Sequence, residues 1–365
     1  MLVMMKPKRL LIGLMAVGIA ASAFPTLVQA AGMKSKCSDC HTMHNSQNGA
    51  TMSSAAYTTG NAQLLRLNCI GCHAGSTNNG TTVYPQVAGA GAQGVNMLAG
   101  GYFNDGSTAA LDAKGHNVAG YSGPDVNFTL TGAGVPPGWE NGVQWIGDTN
   151  YSNQVTCSGA YGAANLQYGC HQNGGHHTNN VRGTVTNSPT SVGTSYRFLS
   201  GVKGFEDAEW EWGSTASSIG TANHNQYYAV LRAKGDPDAG NSDTMNGLCA
   251  KCHGNFHGQA DQDTGAGTGW IRHPTDVDLS TSATEHNTYA NYDPLVPVGT
   301  SVVAVTKVTT LVQTGGNGIV LCISCHRPHG GDYSDLLRWS YGEMVAGSAG
   351  SAAGRGCFKC HSAKD

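Results

Sequence analysis

Apolar residues along this chain are sparse and bunched, and only a few bunches carry a readable period. Residues 10–23 form an unbroken apolar run behind Lys6, Lys8 and Arg9. The run is too short to cross a bilayer comfortably and has the layout of an export signal, with the small residues Val28, Gln29 and Ala30 at its end. We expect residues 1–30 to be removed and residues 31–365 to form one domain. Beyond that run, residues 61–67 (NAQLLRL) predict a short helix, and residues 332–344 (DYSDLLRWSYGEM) predict another. Residues 301–312 alternate Val and Thr in the two-residue period of a strand. Between these lie long polar, glycine-rich tracts such as residues 75–82 (GSTNNGTT), which favour turns.

Composition sharpens that pattern. Charged residues are 12% of the chain, against about 25% in ordinary domains. Its 52 glycines in 365 residues are about twice the usual share. The side chains alone supply too little apolar surface for two conventional cores. Loss of the leader leaves 17 of the 20 Lys and Arg against 23 Asp and Glu, a formal −6. No basic face calls for nucleic acid as a partner.

The cysteines change the picture. Five pairs read C-x-x-C-H: Cys37, Cys40 and His41; Cys69, Cys72 and His73; Cys249, Cys252 and His253; Cys322, Cys325 and His326; Cys357, Cys360 and His361. The two remaining of the 12 cysteines, Cys157 and Cys170, precede His171 with twelve residues (SGAYGAANLQYG) between them. C-x-x-C-H is the attachment signature of c-type haem: two thiols form thioethers to the porphyrin and the histidine ligates the iron. Structural zinc would need two CxxC halves, or one with paired histidines, closing a single tetrahedron. Here each pair carries its own histidine. The third site reads as a sixth haem site with a looped-out insertion, or else as an ordinary disulfide beside a coincidental histidine. Six covalently bound haems would supply the missing apolar bodies. The expected fold is mostly coil, with a few short helices and minor strand, wrapped around a stacked haem chain.

Fifteen histidines are present. Six are proximal ligands in this reading: His41, His73, His171, His253, His326 and His361. Nine remain: His44, His116, His176, His177, His224, His257, His273, His286 and His329. Six of them would give every iron a second imidazole and close it to substrate, which favours electron transfer over catalysis. His44 and His329 lie three residues after a proximal histidine, and His257 four. Each is too near its own haem to reach the far face, so each is expected to serve a neighbouring haem. The competing functions are a monomeric periplasmic electron shuttle and a multihaem reductase of small nitrogen or sulfur oxyanions, the latter requiring an open iron.

Particular segments carry a family resemblance over the whole length beyond the leader. They are residues 37–45 (CSDCHTMHN), 115–118 (GHNV), 249–257 (CAKCHGNFH), 272–274 (RHP), 322–329 (CISCHRPH) and 357–365 (CFKCHSAKD). In these the chain resembles the filament-forming hexahaem outer-surface cytochromes of metal-reducing bacteria, the "nanowire" family. The resemblance implies bis-histidine haems stacked in alternating parallel and T-shaped pairs, and subunits polymerised end to end outside the cell. It implies distal ligation by His44, His116, His257, His273 and His329, with His177 or its neighbour His176 as the sixth. That leaves His224 and His286 as non-ligands. It further implies that His44 crosses to the fifth haem, at Cys322, Cys325 and His326, of the adjacent subunit. Upstream donors in the periplasm or outer membrane and extracellular acceptors, such as metal oxides or partner cells, would be the other partners. The third site departs from the family, which has a compact motif there.

Overall fold

The computed structural model describes residues 317–347 and 355–364, together with 199, 201–205, 224–231, 243–253, 275–281 and 289–303. It also describes short pieces at 41–42, 46–47, 50–51, 69, 73, 87, 100–103, 114–118, 155, 157, 169–171, 185–186 and 273. The chain divides into two compact units, Met1–Ala30 and Ala31–Asp365, and every described residue lies in the second. Expectations placed on residues 1–30 and on the helix at 61–67 lie outside the described residues. No helix among the described residues is long and apolar enough to cross a membrane.

Regular structure is scarce, as the composition implies. β1 (Ser46–Gln47) and β2 (Ala50–Thr51) pair as an antiparallel hairpin. A four-stranded sheet is ordered β3 (Val185–Thr186), β4 (Gly204–Phe205), β5 (Gln226–Tyr228) and β6 (Gly299–Thr300). The first two of its pairings are antiparallel and the last, Tyr227 with Gly299, is parallel. Helix α1 (Met245–His253) carries the fourth haem motif and α2 (Cys322–Cys325) carries the fifth. Single 3-10 turns account for most of the remainder, including Gly356–Lys359 inside the sixth motif.

Residues 318–321 (GIVL) organise the core. Ile319 exchanges backbone hydrogen bonds with Gly299, and Val320 N–H donates to Val277 O at 2.9 Å. Side chains on such an extended segment alternate faces. Ile319 and Leu321 enter one cluster with Leu199, Val202, Tyr227, Ala229, Met245 and Ile323. Val320 enters another with Leu279, Tyr289, Tyr292 and Val298. Cys360 packs, partly buried, on the second cluster, and Cys157 likewise on a third built on Phe103 and Val118. Ile319 is fully buried. Its replacement by alanine is expected to lower unfolding stability by about 2–5 kcal/mol, read as a drop in the melting midpoint.

Two expected elements differ. Residues 332–344 are not one helix but two 3-10 turns, Ser334–Leu336 and Tyr341–Glu343. Asp335 and Leu336 sit at φ 59° and 58°, left-handed values that no α-helix tolerates. The segment instead pairs with the fifth motif: Arg327 N–H donates to Leu336 O at 2.7 Å and Arg338 N–H to Cys325 O at 2.9 Å. Tertiary pairing overrides local helix preference. Of the strand expected over 301–312, the described residues 301–303 are not strand; they follow directly on β6, Gly299–Thr300. Val302 is exposed, and its N–H donates to Thr300 Oγ1 at 3.2 Å in a turn. Residues 304–312 lie outside the described residues.

Candidate haem-binding site

The attachment motifs share one backbone closure. In the fifth motif His326 N–H donates to Cys322 O at 3.0 Å, and in the sixth His361 N–H donates to Cys357 O at 2.9 Å. This five-residue turn fixes the backbone from the first cysteine to the histidine. The third site closes in the same way: His171 N–H donates to Cys157 O at 2.8 Å despite the twelve-residue insertion. The chain thus places Cys157 where the first cysteine of a compact motif stands, beside Cys170. None of the nine described cysteines is in a disulfide.

Motifs distant in sequence are brought edge to edge. Cys157 is hydrogen-bonded to Cys69, which with burial and the nearby Cys170 pushes its thiol far above the ordinary range. Cys322 donates to Cys249, and that bond, with burial, holds Cys322 well up. Burial, and then Cys357, raise Cys325 to about 11. Burial, and then Cys325, raise Cys360 to about 12. Each of these cysteines borders one from another motif.

The histidines meet in pairs that no motif contains. The ring centres of His171 and His329 are 6.2 Å apart, those of His116 and His253 6.1 Å, and those of His273 and His361 6.0 Å. Two imidazoles sharing one metal ion through Nε2 have ring centres about 6 Å apart, given metal–nitrogen bonds of about 2 Å each. In each pair one ring belongs to an attachment motif and the other comes from a distant segment. The cysteine closures and these ring separations fit a bis-histidine haem at the third, fourth and sixth motifs.

Orientation and protonation match ligation. His329 Nδ1 lies 3.3 Å from Gly101 O, His116 Nδ1 2.5 Å from Pro328 O, and His326 Nδ1 2.7 Å from Asp335 O. A carbonyl only accepts, so each Nδ1 carries the proton and each Nε2 keeps its lone pair for a metal. Burial, and then the neighbouring His171, lower His329 to about 3, and burial lowers His116 as well. Both are neutral imidazoles, the form that binds iron.

Gly330 aligns two of these histidines. It bridges Gly101 on one side and Gly115 on the other, so the segments bearing His116 and His329 cross at one residue. Its φ is +124°, and a Cβ there would stand 2.2 Å from Lys114 O. Only glycine fits.

His224 is built differently. Its ring is 2% exposed and stacks on Tyr292 with centres 3.7 Å apart and planes 15° apart. Its Nδ1 donates to Asn225 O at 2.6 Å. Every described histidine of the candidate ligand set is more exposed than this. The ring packs between protein groups as part of the core. Cys37, Cys40, Cys72, His44, His176, His177, His257 and His286 lie outside the described residues. What the sequence could not announce is the crossing glycine and the buried Asn246, whose amide joins two motifs. Neither falls in a motif, and neither has a periodic signal.

Comparison with known proteins points the same way. The family described as a doubled CXXCH motif matches residues 312–365, the span of the fifth and sixth motifs. The C-type cytochrome OmcS of Geobacter sulfurreducens is 25% identical over 405 aligned residues, covering 92% of this chain and 86% of OmcS. Among solved structures, the outer membrane cytochrome S filament of Geobacter sulfurreducens covers 88% of this chain and 87% of its own, at 21% identity and a TM-score of 0.44. A cryo-EM structure of OmcS nanowires gives 21% identity and a TM-score of 0.39, covering 84% of each chain. The chain is thus similar to the C-type cytochrome OmcS in sequence along nearly its whole length, and its last two motifs match the doubled CXXCH family.

Proposed function

We propose that this protein carries electrons through six covalently bound, bis-histidine haems per subunit, and that subunits join end to end into an extracellular filament. The observation that carries the reading is the set of three histidine pairs, each at the spacing of a shared iron and each joining a motif to a remote segment. When bound, the haem supplies one-electron exchange between ferric and ferrous iron. The chain's own residues do the rest. Cysteine pairs anchor the porphyrins, paired imidazoles hold the iron six-coordinate, and carbonyls at Gly101, Pro328 and Asp335 fix ring orientation. An electron entering one end leaves at the other without any bond being made.

The ligand pairs are His171 with His329, His253 with His116, and His361 with His273. His257, and His177 or its neighbour His176, serve two of the remaining irons. His326 lies at the surface and takes His44 from the adjacent subunit. A filament at the cell surface, fed from the periplasm or outer membrane, would reach acceptors such as metal oxides or partner cells. Support comes from the likeness to OmcS, whose solved structures are described as a filament and as nanowires, together with the export-type leader. His44→Ala is expected to abolish polymers in electron micrographs while the haem content by pyridine haemochromogen stays unchanged. Filaments persisting in that variant would refute the joint, and a wild-type chain without haem would refute the carrier itself.

A further inference from the structure

Asn246 is the feature that ligation leaves unexplained. It stands in the first turn of α1, three residues before Cys249, and is fully buried at 0% exposure. A polar amide in that setting is held only where its hydrogen bonds are made. Its Oδ1 accepts from Cys322 N–H at 2.8 Å, across 76 residues of chain. Its Nδ2 donates to Asp276 Oδ1 at 2.8 Å and to Val320 O at 3.3 Å. Cys322 is the first residue of α2, where a backbone N–H has no partner within its own helix. The side chain of one motif's helix thus completes the start of the other's.

The surroundings make this a rigid joint. Thr244 Oγ1 accepts from Gly247 N–H at 2.9 Å and fixes the start of α1. Ser324, inside the fifth motif, accepts from Leu321 N–H at 2.9 Å and donates to Pro297 O at 2.5 Å. Asp276 N–H is tied to Val320 O at 2.9 Å. Met245, Ile319, Leu321 and Ile323 fill one cluster around the joint. The thiols of Cys249 and Cys322 touch.

We infer that Asn246 is a positioning residue that sets the orientation of the fourth and fifth cofactors relative to each other, and with it the electronic step between them. The inference rests on the electron-carrier reading. A surface hydrogen bond would leave the two helices free to adjust. A buried three-armed amide holds them in one register, as precise cofactor placement requires.

The test uses the full-length holoprotein and two variants. Asn246→Leu keeps the branched shape, at a larger volume, and removes every arm. Asn246→Asp keeps the acceptor for Cys322 N–H and removes the donors. Haem content is measured first by pyridine haemochromogen. Soret-region circular dichroism then reads the couplet from closely spaced porphyrins, and time-resolved photoreduction reads electron redistribution. With haem content unchanged, both variants are expected to alter the couplet and slow redistribution several-fold, Asn246→Asp by setting a second carboxyl oxygen against Asp276. An unchanged couplet and unchanged kinetics in both variants, with only a lower melting point, overturn the inference and leave Asn246 a purely structural group. If Asn246→Leu loses haem, Asn246→Asp decides by the same two readouts. A wild-type chain without haem fails the carrier reading, a distinct outcome.

Discussion

With His171 and His329 as the proposed pair, His329→Ala is expected to convert one iron per chain from low spin to high spin, because it removes the imidazole 6.2 Å from His171. Cys157 and Cys170, the proposed attachment residues there, are untouched, so haem content is expected to stay at the wild-type value. The change is read by electron paramagnetic resonance of the oxidised protein and by the appearance of carbon monoxide binding in the reduced one. His224→Ala is the contrasting variant. It deletes a buried ring stacked on Tyr292 and lowers stability by about 1–2 kcal/mol, while every iron keeps its spin state. Loss of low-spin iron in the His224 variant, or its retention in the His329 variant, would overturn the ligand set.

Gly330→Ala has the broader effect. The added carbon would meet Lys114 O at 2.2 Å and Gly115 Cα at 2.6 Å, both backbone atoms. A positive-φ alanine adds strain of about 1–3 kcal/mol, and overpacking adds about 1–3 kcal/mol more. The strand pieces can relieve this only by separating, which pulls His116 and His329 away from His253 and His171 together. The expected result is high-spin signal at two irons per chain and a fall in melting midpoint larger than that of Ile319→Ala. One substitution that touches no ligand would then open two sites. A low-spin spectrum identical to wild type would show that the crossing does not hold the ligands.

How far the sequence spoke depended on whether a feature was covalent or spatial. The attachment residues Cys322, Cys325 and His326 announce themselves, because thioether chemistry fixes their spacing. The scarcity of helix and strand was legible in the glycine content and low charge. The tract 332–344 was misread as a helix because its leucines and aromatics have a helical look, yet its backbone is claimed by the fifth motif. A strand of two residues, such as Gly299–Thr300, carries no period at all. Asn246 and Gly330 are ordinary residues in ordinary contexts, and their roles come from segments that meet only in the folded chain.

The closure of His171 on Cys157 separates two properties that a compact motif fuses: the geometry of attachment and the length of chain between the thiols. What the cofactor requires is the turn's end points, and at the third site the residues between them are released from that requirement. The third site therefore keeps the backbone end points of a compact attachment turn although twelve residues separate its two cysteines in sequence.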